Sequence, residues 1–140
     1  MKTMKNLILG IGLMFFVTTS CATGIKFPVS SIEPAAEISA KIKKDKQNNY
    51  VITITANYLA AVERLSPPMK TYVVWIVTKE NAINNIGQLK NDDNGKKVTL
   101  ETLSAMEPKE IFITAENEES ITRPNGVEIT RVIIRDNLNQ

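Results

Sequence analysis

The 140-residue chain has no histidine and a single cysteine, Cys21. Without histidine, neither a Ser-His-Asp nor a Cys-His arrangement can be built. A zinc site of His and Cys ligands is excluded for the same reason. One cysteine permits no internal disulfide. Aromatic residues are sparse: one tryptophan and three tyrosines leave little to line a deep sugar cleft. Net positive charge is also scarce once the N-terminus is set aside. Residues 1–20 hold Lys2 and Lys5 and no acids, so the 17 basic residues fall to 15, against 15 acidic ones. Formal neutrality argues against a nucleic-acid binder, which needs a basic face. The sequence offers no catalytic set and no cofactor or metal motif, so no enzyme activity is expected.

Among what is present, the N-terminus is the most specific feature. Lys2 and Lys5 form a positive n-region, and Leu7 to Val17 a short apolar h-region. That run is too short for a spanning helix. Thr18-Thr19-Ser20 leads directly into Cys21. The arrangement resembles a bacterial lipoprotein signal, which implies removal of residues 1–20 and a lipid on Cys21. Thr18 stands where such signals usually carry a branched aliphatic residue. Ordinary secretion, with cleavage after Ala22 in the small-x-small run Ser20-Cys21-Ala22, is the alternative. The expected location is the cell envelope, with membrane attachment through Cys21. Ala22 stands where an acidic residue often follows an inner-membrane-retained cysteine, which favours the outer membrane.

Downstream, the apolar pattern is that of strands. Residues 21–30 are expected as a lipidated tether leading into an edge strand around Ile25, Phe27 and Val29. Residues 31–136 are expected as one domain, and residues 137–140 as a polar tail. Glu37–Lys44 alternates, with Ile38, Ala40 and Ile42 on one face, and Tyr50–Asn57 returns with Tyr50, Ile52, Ile54 and Ala56 inward. Leu59 to Met69 reads as a long connection with one or two helical turns, ended by Pro67-Pro68. Further strands are expected near Asn85–Lys90, Lys97–Leu103, Glu110–Glu116 and Val127–Arg135. Gly87 suggests a bulge or a close backbone approach. Seven or eight short strands without strand–helix alternation predict an all-β, immunoglobulin-like antiparallel sandwich. A small barrel is the alternative.

The run Tyr72-Val73-Val74-Trp75-Ile76-Val77 is the central strand of this scheme. It is apolar on both faces, Tyr72, Val74 and Ile76 against Val73, Trp75 and Val77. A half-solvated sheet needs only one apolar face. The surplus face is therefore the candidate binding surface: Tyr72, Val74 and Ile76 if Trp75 points inward, with Trp75 itself the candidate on the other face. It is covered either by the Leu59 to Met69 connection or by a partner. Other clusters have plainer explanations. Asn91-Asp92-Asp93-Asn94 is turn chemistry rather than a calcium loop. Glu116, Glu118 and Glu119 read as a solvated acidic loop. Lys41, Lys43, Lys44 and Lys46 are expected to guard a strand edge, with anionic headgroups near the anchor as the other reading.

Tyr72-Val73-Val74-Trp75-Ile76-Val77, Ile86-Gly87-Gln88-Leu89, Ile113-Thr114-Ala115-Glu116 and Pro124-Asn125-Gly126 together look like the extracytoplasmic domain of anti-sigma-K-type factors. The resemblance covers about the last half of the chain. Asn117-Glu118-Glu119 stands where that family has a glycine pair. The resemblance implies a β-sandwich with Trp75 in its core and an extracytoplasmic, non-catalytic role; it does not extend to binding a sigma factor. The expectation is an envelope interaction domain for a protein partner. A glycan- or small-ligand-binding module using Trp75 or Tyr72 as a stacking platform is the alternative.

Overall fold

A computed structural model describes residues 23–90 and 96–135. Cys21 and the Asn91–Asn94 turn lie outside them. Eight strands follow in order: β1 (Thr23–Lys26), β2 (Glu37–Lys44), β3 (Tyr50–Asn57), β4 (Thr71–Thr78), β5 (Ile83–Leu89), β6 (Lys97–Ser104), β7 (Pro108–Glu116) and β8 (Val127–Ile133). They form two four-stranded sheets, β1-β2-β3-β6 and β5-β4-β7-β8, all antiparallel and not closed into a barrel. Hairpins β2–β3, β4–β5 and β7–β8 stay within a sheet. The β3–β4, β5–β6 and β6–β7 connections change sheets. β3 and β6 hold the places of strands B and E of an immunoglobulin-like sandwich, and β4, β7 and β8 those of C, F and G.

β2 and β3 run over the residues their alternation predicts, because each has one clean apolar face. Ile38, Ala40, Ile42, Ile52 and Ile54 point between the sheets and meet Tyr72, Val74, Ile76, Ile111 and Ile113 from the other side. β1 begins at Thr23, which pairs with Ile42. Any tether is therefore confined to the residues before Thr23. Phe27, Ala36, Leu59, Val62 and Met69 close the same core at one end. The Leu59 to Met69 connection carries a single 3-10 turn, Val62–Arg64.

Three register slips interrupt the second sheet, and besides the one opposite Val77/Thr78 on β7, two redirect side chains. Opposite Val74/Trp75 the register of β5 slips at Ile86, beside Gly87 with φ +137°. A Cβ on Gly87 would lie 3.0 Å from a methyl of Leu100 on β6. Gly87 thus serves both as a bulge residue and as a close approach between the sheets. On β8 the register slips between the partners of Ile113 and Thr114, leaving Ile129 as the extra residue. Strict alternation over Val127–Arg135 therefore fails. Ile129 and Ile134 are buried, while Val127 and Ile133 are exposed.

The sandwich has two poles. One holds the start of β1, the β2–β3 turn and the β4–β5 and β6–β7 connections. The other holds the β1–β2, β3–β4 and β7–β8 connections.

Candidate functional site

β4 has no solvent face; all eight of its residues are buried. Its inward set is Tyr72, Val74 and Ile76, which belong to the inter-sheet core. Val73, Trp75 and Val77 point the other way and form a second apolar cluster with Phe112 and Ile121. This reverses the expected placement of Trp75 between the sheets. The reason lies on β7. Ile111, Ile113 and Ala115 are wholly apolar, whereas Phe112 shares its face with Thr114 and Glu116. The purely apolar set takes the inter-sheet position, and cross-strand pairing then puts Trp75 beside Phe112 on the outer face.

The cover on that face is the β7–β8 loop, residues 117–126, and not the Leu59 to Met69 connection. Ile121 supplies its apolar contact. The side-chain amide of Asn85 donates to the carbonyls of Glu119 (3.1 Å) and Ile121 (3.0 Å), and that of Gln88 to Glu119 (3.1 Å). β5 thus holds the loop down by its backbone. The loop's far end is fixed by Gly126, where a Cβ would stand 1.8 Å from the carbonyl oxygen of Ala115.

Beneath the loop runs a buried polar chain. Trp75 Nε1–H donates to Thr114 Oγ1 at 2.8 Å. Thr114 Oγ1–H donates to Glu116 Oε1 at 2.7 Å, and the Asn125 N–H donates to the same oxygen at 3.0 Å. A buried indole N–H requires such a partner. Glu116, expected as part of a solvated acidic loop, is buried because it carries this chain; Glu118 and Glu119 are exposed. The Trp75 and Phe112 rings stack with centroids 6.1 Å apart and planes 13° off parallel. Arg131 lies over Phe112 at 4.0 Å. Glu128 binds its guanidinium through two oxygens (3.0 and 2.9 Å), and Glu110 adds a third contact at 2.6 Å. The hydrogen bond to Glu128 comes first among the causes that hold the Arg131 pKa above its ordinary value, despite opposing desolvation; Glu110 adds to it. Arg131 was not singled out from sequence. The available signal was a charged residue in the alternating row of Val127, Ile129 and Ile133, with Glu128 three residues before it.

Tyr72 Oη donates to the Ala60 carbonyl at 2.8 Å. Burial, followed by the charges of Glu33 and Glu63, pushes its phenol pKa above the ordinary value. Tyr72 and Trp75 are 1% and 0% exposed, so neither ring offers a stacking face. Val74 and Ile76 are equally enclosed. Among the described aromatic residues only Tyr58 stands open, at 60%. Its φ of +56° is unusual for a bulky residue. Tyr58 follows Asn57, which lines a cleft of about 280 Å³ with Lys26, Val29, Glu37 and Ser39. The period-2 pattern gave no hint of Tyr58, since it lies one residue past β3.

Chemically, the outer cluster positions hydrogen bonds and stacked rings, and its hydroxyl–carboxylate pair, Thr114 with Glu116, is buried beneath the loop. Among the described residues no group of three or more His, Cys, Asp or Glu side chains is arranged to hold a metal ion. No described helix is long and apolar enough to cross a membrane. No protein family, curated protein or solved structure matches this chain.

Proposed function

We propose that the chain is a non-catalytic, lipid-anchored cell-envelope protein whose β-sandwich presents a surface to an envelope protein partner. The observation that carries this reading is the start of β1 at Thr23, two residues beyond Cys21. A signal removed before Cys21 would leave the described fold whole, with the lipid at one pole. The opposite pole carries the exposed apolar side chains Val29, Ile32, Tyr58 and Val127, which suit a partner surface facing away from the membrane. The missing histidine and lone cysteine support the non-catalytic part. The resemblance to the anti-sigma-K-type extracytoplasmic domain supports the same role and supplies no partner. Ala22 after the cysteine favours the outer membrane.

Metabolic labelling with a fatty acid tests the anchor. Label is expected on the wild-type protein and not on Cys21→Ser; an unlabelled, soluble wild type overturns it. In-cell crosslinking from position 29 or 58 then tests the partner surface, and a partner captured equally well from Thr53 would argue against that pole.

A second reading, a glycan- or small-ligand-binding module, is favoured by one observation, the open ring of Tyr58 beside the Asn57 cleft. Glycan-array binding lost in Tyr58→Ala would support it. Binding lost only in Trp75→Ala would reflect unfolding, since iodide is expected to leave the shielded Trp75 fluorescence unquenched.

A further inference from the structure

Lys41 does not guard a sheet edge: it lies on the outward face of β2, paired to Gly24 on β1 and to Thr53 on β3. Lys43 and Lys44 lie past the last described β1 partner, Thr23 opposite Ile42, and pair with β3 alone among the described residues. Edge protection does not account for Lys41 or for Lys46 in the β2–β3 turn. β1 is antiparallel to β2, so the chain enters the fold at Thr23 beside Ile42, one residue from Lys43. Two peptide units separate Thr23 from Cys21. Chain geometry keeps the two Cα atoms within about 8 Å of each other in any conformation. A lipid on Cys21 therefore brings Lys43, Lys44 and Lys46 to the membrane surface.

Of the carboxylates at this pole, Asp45, Glu107 and Glu110 are engaged, while Glu80 in the β4–β5 turn stands exposed. Asp45 Oδ1 accepts the backbone N–H groups of Gln47 (2.9 Å) and Asn49 (2.8 Å), which shapes the turn. Glu107 pairs with Lys79 at 3.0 Å, and Glu110 with Arg131. Lys44 sits 5.4 Å from the Tyr50 ring centroid. Lys43 and Lys46 are exposed and have no carboxylate partner among the described residues. Apolar side chains share the pole. Leu103 lies in the same row as Lys43 through Val51, Met106 is in the β6–β7 connection, and Ile83 and Ile133 close the ends of their strands. All four are exposed. Basic residues interleaved with exposed apolar ones match the headgroup layer of an anionic bilayer.

We propose that the β2–β3 turn and the end of β2 beside it, through Lys46 and Lys43, dock on anionic lipid headgroups of the membrane that holds the anchor. The partner-facing pole is then directed outward from that membrane. This rests on the anchored reading above and adds an orientation to it.

The test uses the processed protein isolated from cells. The mass of its N-terminal peptide reports the lipid. The protein is reconstituted into phosphatidylcholine vesicles with or without phosphatidylglycerol, and lysine acylation is read peptide by peptide. Lys43 and Lys46 are expected to be protected by about fivefold each in the anionic vesicles, with protection lost in high salt. Lys70 and Lys90, at the opposite pole, should label equally in both. Lys43→Glu combined with Lys46→Glu should abolish the lipid dependence at Lys44 while leaving the melting temperature unchanged. A lipidated protein whose Lys43 and Lys46 label alike in both vesicles overturns the docking and leaves the anchor standing. A protein without lipid overturns the anchor. It is then added to the same vesicles from solution, where co-sedimentation only with anionic vesicles supports the docking and its absence overturns it.

Discussion

The outer face of the β1-β2-β3-β6 sheet carries Ser39, Lys41, Thr53, Thr55, Thr99 and Glu101 and lies open, whereas that of the β5-β4-β7-β8 sheet carries Val73, Trp75, Val77 and Phe112 under a folded-back loop. Both sheets belong to one sandwich and share one core. A strand with one apolar face needs only the opposing sheet. A strand with two needs a second cover from the chain itself, and the β7–β8 loop supplies it through backbone carbonyls tied to Asn85 and Gln88. Burial in this molecule is thus built in three layers, although the strands form only two.

The comparison is broken most directly at Trp75. Trp75→Ala empties the centre of the outer cluster and is expected to cost about 3–5 kcal/mol in denaturant unfolding. Thr53→Ala on the open face should change stability by less than about 0.5 kcal/mol. Equal effects would mean that the outer cluster contributes nothing beyond an ordinary surface. Next comes Gly126→Ala, which drives a methyl into the Ala115 carbonyl; a loss of about 1–3 kcal/mol is expected. Its signature is iodide access to Trp75 before global unfolding. Thr114→Val strands the indole N–H and removes a donor to Glu116, and should cost about 1–3 kcal/mol. An unchanged midpoint would show that water replaces the threonine.

The smallest expected effect sharpens the comparison from the inner side. Tyr72→Phe loses the bond to Ala60 and about 1 kcal/mol at neutral pH. Because the folded phenol pKa lies above the unfolded value of 10.0, its contribution is intact below about pH 10 and is lost as pH rises toward the folded value. Wild-type stability should therefore fall more steeply above about pH 10 than that of Tyr72→Phe. Parallel curves would refute this role for Tyr72.

The fold class was legible because β2 and β3 alternate cleanly and because β4 is apolar throughout. The orientation of β4 was not. Periodicity separates Tyr72-Val74-Ile76 from Val73-Trp75-Val77 but does not say which set meets the other sheet. The answer lay thirty-odd residues downstream, in the pairing of Phe112 with Thr114 and Glu116 on one face of β7. The cover was misassigned for a related reason. Leu59, Val62 and Met69 are apolar enough to roof a face, and they do close the inter-sheet core at one pole. The polar 117–126 loop looked like solvent-exposed chain, since its hold on Trp75 rests on backbone carbonyls and a single isoleucine. The surplus apolar face of β4, the candidate site in the sequence, is thus accounted for within the chain. Tyr58 and the turn lysines, which the pattern passed over or read as edge guards, remain as outward-facing features.

The short strand β1 also sets how the domain meets a mechanical load. Consider tension applied to Thr23 along the axis of β1. The ladder bonds between Thr23–Lys26 and Ser39–Ile42 lie across that axis. They are loaded together in shear rather than opened one after another like a zipper. A pull along β1 is thereby taken up first by β2, while the roof over Trp75 belongs to the other sheet.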